Sequence, residues 1–177
     1  MAVEVFPPRC VAYYVTGHGL GHATRVAAVC AALAARGHHV SVVSSAPAQA
    51  FTRDIEPAGA RARVAVRRAA LDVGCVQSDA LTVDRAASLA GYKRTAVDGR
   101  DAIVASEAAW LRATCADVVL VDCVPVACAA AAEAGVPAVC VTNFSWDFIY
   151  SDFMVSGGKE WRHIGASVGL PPCCCCV

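Results

Sequence analysis

The sequence has little charge, few aromatic side chains and no long uninterrupted apolar stretch. Charged residues make up 17% and aromatic residues 7% of the 177 residues, and fifteen basic residues balance fifteen acidic ones. A formally neutral chain lacks the positive excess that nucleic-acid binding requires. The longest apolar run, 124–132, contains Pro125 and ends before Glu133, well short of the roughly 18 apolar residues of a membrane span. We therefore expect neither nucleic acid nor a membrane among the partners.

The amino terminus has no basic segment ahead of an apolar stretch, as a secretory signal would have. Isolated cysteines within apolar runs behave as small buried apolar residues, and free thiols are typical of a reducing compartment. We therefore expect a cytoplasmic protein. Seven of the eleven cysteines stand singly in this way: Cys10, Cys30, Cys75, Cys115, Cys123, Cys128 and Cys140.

Short β-type runs alternate with alanine-rich helical stretches along most of the chain. The strands lack in-and-out alternation, which predicts burial on both faces and hence a parallel sheet. We expect an α/β fold with a doubly wound, Rossmann-like parallel sheet of about five strands. Strands are predicted at 10–15, 40–44, 61–66, 117–121 and 138–142, helices at 23–36, 47–55 and 124–134, a mostly helical stretch at 84–114 broken near Gly99, and a long loop at 67–82.

The last residues lose this rhythm and end in two prolines and four consecutive cysteines at 173–176. Adjacent cysteines cannot easily all turn to one ion, so a low-complexity terminus is favoured over a metal site. We divide the chain into a folded lobe, 10–155, and a divergent, disordered Cys-rich tail, 156–177. The tail is interpreted as the end of a truncated or differently spliced product.

A glycine-rich turn, GHGLGH at 17–22, lies between the first predicted strand and the first predicted helix. Glycines let the backbone approach a ligand, and the first amides of a helix attract anions. The spacing is neither GxGxxG nor a P-loop, which disfavours a dinucleotide. The histidines either contact a sugar or phosphate, act as a base, or simply cap the helix. The candidate binding residues here are Gly17, His18, Gly19, Gly21, His22 and Arg25.

A metal site at this turn is not expected. His18 and His22 are four residues apart, which suits a metal on a helix face, but the glycines between them argue against a helix there. No glutamate follows His18 as in a zincin motif. We therefore assign no metal ligand.

Polar groups also follow the last two predicted strands. Asp122 lies just before a helix that starts near Pro125, and is interpreted either as an N-cap or as a ligand contact. The segment 143–147 carries two aromatic rings among polar groups, which fits sugar stacking and domain packing equally. No nucleophilic triad or paired-carboxylate motif can be assigned, so the catalytic residues stay unknown. The candidate binding residues here are Asp122, Asn143, Ser145, Trp146 and Asp147.

Several distinctive segments follow one another over roughly 10–150. They are YYVTGHGLGHATRV at 13–26, LDVG at 71–74, QSDALTVDR at 77–85, VPVAC at 124–128 and VTNFSWDFIY at 141–150. Together, and in this order, these segments resemble the amino-terminal part of plant L-arabinokinases.

The resemblance implies a protein in two parts. Its amino-terminal part is similar to the N-terminal lobe of GT-B glycosyltransferases, in which the glycine-rich loop faces the acceptor. Its carboxy-terminal part is a GHMP kinase that phosphorylates L-arabinose to L-arabinose 1-phosphate with ATP and magnesium. The phosphate loop of such kinases, of the kind PxxxGLxSS, does not occur in this sequence. We therefore expect a chain without the kinase domain and second lobe, which binds no cofactor itself.

Three functions stay open at this point. The first is a lobe that binds a sugar or sugar phosphate without kinase turnover. The second is the acceptor lobe of a residual GT-B glycosyltransferase that uses a UDP-sugar. The third is a truncated product without independent activity, which would expose apolar surface that a partner lobe normally covers.

Overall fold

The computed structural model describes residues 7–53, 55, 58–79, 81–144, 146, 149–150 and 153. The predicted tail, 156–177, and the candidate residues Ser145 and Asp147 lie outside them. The strands are β1 (Cys10–Val15), β2 (His39–Ser44), β3 (Val64–Arg68), β4 (Val118–Asp122) and β5 (Ala138–Cys140). The helices are α1 (Leu20–Ala35), α2 (Gln49–Thr52), α3 (Ala58–Arg61), α4 (Arg85–Tyr92), α5 (Arg100–Ala113) and α6 (Pro125–Ala134).

The five strands form one sheet in the order β3-β2-β1-β4-β5, and every pair is parallel. The prediction of a doubly wound parallel sheet is confirmed. Both faces are buried, as the lack of alternation in the strands indicates. On one face Tyr13 and Val42 pack with Val26 of α1, and on the other Tyr14 packs with Leu111 of α5 and with α6.

Two helices end where the glycines predict. Gly37 has φ +91° just after α1, and Gly135 has φ +74° just after α6. Both lie in the left-handed region that glycine adopts without a steric penalty, so each ends its helix. The break near Gly99 is also present: a π-helical turn, Lys93–Asp98, separates α4 from α5.

Several predicted boundaries are wrong, for local reasons. The third strand begins at Val64 rather than at 61, because Ala58–Arg61 forms a helical turn first. The fifth strand stops at Cys140 rather than at 142, where the hydroxyl of Thr142 donates to the carbonyl of Phe144 at 2.7 Å and turns the chain. The first helix begins at Leu20 rather than at 23, which places Gly21 and His22 inside its first turn.

Candidate functional site

The candidate site lies at a crevice between the neighbouring strands β1 and β4. The helix that follows β1 packs on one face of the sheet, and the helix that follows β4 packs on the other. Val15 and Asp122 are partners at the carboxyl ends of these strands, and the amide of Thr16 donates to the Asp122 carbonyl at 3.1 Å. Open parallel sheets bind ligands at such switch points.

Two of the three glycines in the turn are required by their surroundings. A Cβ at Gly17 would lie 1.8 Å from Oγ of Ser45, so a side chain does not fit. Gly19 has φ +93°, which other residues rarely adopt. Gly21 lies inside α1, and an added Cβ would meet nothing within 4 Å. The turn therefore needs glycine at its first two glycine positions and not at its third.

Neither histidine caps α1. The N-cap is Gly19, which makes no side-chain hydrogen bond to the helix. The amide of His18 donates to Oγ1 of Thr16 at 3.2 Å, and the ring of His22 turns to Asp122. The capping interpretation is therefore wrong.

A buried carboxylate organises the floor of the site. The side chain of Asp122 is fully buried and accepts hydrogen bonds from Nη2 of Arg25 at 2.7 Å to each of its oxygens. Nη1 of Arg25 also donates to Oδ1 of Asn143 at 3.2 Å. Hydrogen bonding to Asp122 raises the pKa of Arg25 further above its usual value. The N-cap of α6 is Val124. The interpretation of Asp122 as the N-cap of this helix is therefore wrong.

The same carboxylate fixes the tautomer of His22. Nδ1 of His22 lies 3.1 Å from Oδ1 of Asp122. Nη2 of Arg25 also lies 3.3 Å from this nitrogen, but its contacts with the two oxygens of Asp122 are shorter, at 2.7 Å, and a carboxylate only accepts. We therefore assign the proton to Nδ1 of His22, which leaves Nε2 as a hydrogen-bond acceptor.

Aromatic rings stand beside both histidines. Phe144 meets His22 at 5.2 Å between ring centroids, and Trp146 meets His18 at 6.3 Å. Phe144 and Trp146 meet each other edge to face at 5.6 Å. The segment after β5 therefore forms an aromatic wall along the glycine-rich turn.

The turn and the wall border an open cleft of about 400 Å³. Four candidate residues from the glycine-rich turn line this cleft, as does Trp146. Arg25, Asp122 and Asn143 form the network behind His22, and Gly21 lies inside α1. The lining residues are Gly17, His18, Gly19, His22, Cys75, Gln77, Phe144 and Trp146.

Cys75 and Gln77 were not predicted as binding residues, whereas Phe144 is one of the two aromatic rings for which the sequence allowed sugar stacking. Cys75 and Gln77 come from the long loop before α4, whose lack of secondary structure was the signal for a functional role. Phe144 stands between candidate residues in the aromatic segment. The sequence does not show that the long loop before α4 packs against the glycine-rich turn.

Three potential metal ligands meet next to the cleft. The donor atoms of His22, Asp122 and Cys123 lie within 4.8 Å of one another. Both oxygens of Asp122 are bound by Arg25, however. Burial raises the pKa of Cys123 to about 11, and its thiol donates to the carbonyl of Phe144 at 2.9 Å. A protonated thiol and a carboxylate bound by arginine do not fit a metal cation.

Among the described helices, none is both long enough and apolar enough to cross a membrane. No family model matches the chain. Over 153 residues the chain is 54% identical to the L-arabinokinase of Arabidopsis thaliana. The chain is related to L-arabinokinase. The match covers 86% of the chain but only 14% of the relative, so it concerns a small part of L-arabinokinase, and for that part the resemblance seen in the sequence is confirmed.

Solved glycosyltransferase structures share the fold. The calicheamicin glycosyltransferase CalG4 superposes with a TM-score of 0.52 at 17% identity, over 92% of this chain and 43% of its own. UGT73P12 of Glycyrrhiza uralensis, solved with glycyrrhetinic acid 3-O-monoglucuronide, superposes with a TM-score of 0.51 at 20% identity, over 76% of this chain and 28% of its own. The part related to L-arabinokinase therefore has the α/β fold that the resemblance implied, similar to the N-terminal lobe of GT-B glycosyltransferases.

Proposed function

We propose that this chain is a sugar-binding lobe that takes a neutral sugar, with L-arabinose as the first candidate, and does not itself transfer phosphate. The observation that carries the proposal is the pairing of two imidazoles with two aromatic rings around one cleft. The half-buried ring of Phe144 is placed to pack against the C–H face of a sugar, and imidazole nitrogens hydrogen-bond to its hydroxyl groups. Trp146 is buried and stacked on Tyr150, so it supports the cleft rather than offering a free face. The choice of L-arabinose rests on the relative's name.

The charges beside the cleft favour a neutral sugar over a sugar phosphate. Arg25 is the cation next to His22, and it already donates to both oxygens of Asp122. A phosphate would have to compete with a fully buried carboxylate for this guanidinium, and would be repelled by that carboxylate. We therefore expect a sugar phosphate to bind more weakly than the free sugar.

The wider setting of the chain is part of the same proposal. We propose that the lobe acts beside a second lobe or a kinase domain, supplied by the same or another protein, which holds the ATP and magnesium. The lobe itself takes no cofactor. A cytoplasmic location fits the seven singly placed cysteines, all free thiols.

Calorimetric titration of the purified chain tests the proposal. L-arabinose is expected to bind, and L-arabinose 1-phosphate to bind at least several-fold more weakly. His22→Gln is expected to weaken binding about tenfold, since it removes the oriented acceptor. His39→Gln is the matched control, because His39 lies at the amino end of β2, away from the cleft. A flat titration with L-arabinose, or ADP release from ATP in its presence, would contradict the proposal.

A second candidate is glycosyl transfer, which the contact between His22 and Asp122 favours. An imidazole that donates through Nδ1 to a carboxylate presents Nε2 as a base for an acceptor hydroxyl. This geometry accounts for a catalytic base but not for a site that binds the UDP-sugar donor. Titration with UDP and UDP-sugars separates the two candidate functions. Binding would support glycosyl transfer, and a flat curve would contradict it.

A further inference from the structure

The imidazole of His18 has two neighbours that are distant in sequence. Its ring meets Trp146 at 6.3 Å between centroids and nearly perpendicular. It also lies against the backbone of Gly74, in the long loop before α4. A Cβ built at Gly74 would lie 2.2 Å from Cγ, 2.5 Å from Cδ2 and 2.6 Å from Nδ1 of His18. These near-equal distances place Gly74 over the face of the ring.

Gly74 is constrained twice. Its φ of +61° lies in the left-handed region, and any side chain would enter the space of the His18 ring. Its carbonyl in turn accepts a hydrogen bond from the buried hydroxyl of Tyr150 at 2.7 Å. Position 74 therefore joins the loop to the imidazole and to the aromatic segment.

A second hydrogen bond ties the loop to the aromatic wall. Nε1 of Trp146 donates to Oδ2 of Asp72 at 3.1 Å. Trp146 also stacks on Tyr150, at 5.9 Å and 25° between ring planes. Asp72 thus holds the indole ring that meets His18. The two hydrogen bonds join Asp72 and Gly74 of the loop to Trp146 and Tyr150.

We propose that Asp72 and Gly74 are positioning residues, which hold the imidazole of His18 in the orientation that the ligand meets. The consequence for affinity rests on the proposed sugar-binding function. A side chain fixed before binding loses little rotational freedom when the ligand arrives, so its hydrogen bond contributes more to affinity. The loop therefore raises the affinity for the ligand through His18, without a contact between the ligand and Asp72 or Gly74.

The test compares Gly74→Ala with Gly135→Ala. Both glycines have positive φ, +61° and +74°, but an alanine at 135 meets nothing within 4 Å. The control therefore carries similar backbone strain away from His18. Proton NMR of the ligand-free chain follows the imidazole C–H signals, assigned by single substitution. We expect Gly74→Ala to move the His18 signal and to weaken sugar binding about tenfold, and Gly135→Ala to do neither.

Asp72→Ala and Asp72→Asn provide a second pair that does not strain the backbone. The alanine removes the acceptor for Trp146, so the His18 signal is expected to move and affinity to fall several-fold. The asparagine keeps an acceptor oxygen and is expected to restore both. Asp72→Leu keeps the bulk of the side chain without an acceptor oxygen and is expected to behave like the alanine, which separates the hydrogen bond from packing.

An unmoved His18 signal in folded Gly74→Ala and Asp72→Ala chains would overturn the proposal. So would unchanged sugar affinity in Asp72→Ala despite a displaced signal. The NMR comparison needs no ligand, which separates this proposal from the function on which it rests. If the unmodified chain binds no sugar while the His18 signal moves as expected, the proposed function fails and the positioning of His18 stands.

Discussion

Arg25 of α1 donates to both carboxylate oxygens of Asp122 at the end of β4, at 2.7 Å each. This contact joins two elements that are 97 residues apart in the chain, and it lies directly behind His22. Asp122 is fully buried, whereas the Arg25 side chain is 34% exposed. The pair therefore balances a buried charge and orients the imidazole above it.

Replacing only Asp122 should be costly. Asp122→Ala leaves the guanidinium of Arg25 and Nδ1 of His22 without their acceptor, and we expect the free energy of unfolding to fall by about 3 kcal/mol. The double variant Arg25→Met/Asp122→Ala should lose less than the sum of Arg25→Met and Asp122→Ala, because no charge is left unpaired. Urea unfolding measures all four chains. Single variants as stable as the unmodified chain would contradict this account of the pair.

The glycines of the turn should respond differently to alanine. Gly17→Ala is expected to destabilise the chain and weaken sugar binding, because its Cβ would lie 1.8 Å from Oγ of Ser45 and 3.0 Å from the backbone amide of Ala46. Gly21→Ala should be neutral or stabilising by about 0.5–1 kcal/mol, since alanine is the better helix former. Thermal unfolding and sugar titration of both variants provide the check. Equal effects at the two positions would show that the turn is not packed as described.

Replacing Glu107 should lower the stability of the fold without changing sugar affinity. This buried carboxylate accepts from the hydroxyl of Tyr14 at 2.9 Å and is bound by Arg67, which lies over Trp110 at 4.3 Å. Glu107→Ala leaves these partners unsatisfied, and we expect a loss of about 3 kcal/mol in unfolding free energy. Sugar affinity should stay unchanged at a temperature where the variant is folded, because Tyr14 and Arg25 pack on opposite faces of the sheet. A parallel loss of affinity would argue against separate networks.

Ionised Asp117, at the amino end of β4, makes the stability of the folded chain depend on pH. Its carboxylate accepts from the amide of Cys10 at 2.7 Å and from Nη1 of Arg9 at 3.1 Å, and these bonds lower the pKa of Asp117 below its usual value. A lowered pKa in the folded state means that the stabilisation is present above the unfolded pKa and is lost as the pH falls through the folded one.

Asp117→Asn should therefore be less stable than the unmodified chain at neutral pH. The difference should shrink on acidification and vanish below the lowered pKa of Asp117. Urea unfolding over a pH series measures it. A difference that does not depend on pH would mean that the charge of Asp117 is unimportant.

Much of the fold could be predicted from the sequence because the signals are local. The first strand, 10–15, has the predicted bounds, and Gly37 and Gly135 end their helices as expected. The third strand was misplaced because alanine-rich and arginine-rich segments such as 58–63 fit a helix and a strand equally well. The π-helical turn at Lys93–Asp98 was not predicted from the sequence.

The candidate site was predicted in part for the same reason. His18, His22 and Asp122 follow strands whose carboxyl ends meet, so the topology alone brings them together. The sequence could not show that Asp122 binds Arg25 rather than capping α6, nor that Gly74 lies over the ring of His18. Those contacts depend on tertiary packing between segments more than 50 residues apart.

The most direct measurement is the response of the imidazole NMR signals to added sugar. The account predicts that the signals of His18 and His22 shift together and saturate at the calorimetric affinity, while those of His38 and His39, at the other end of the sheet, stay in place. A sugar that binds and moves the His38 or His39 signals, while leaving His18 and His22 unchanged, would place the ligand elsewhere and contradict the account.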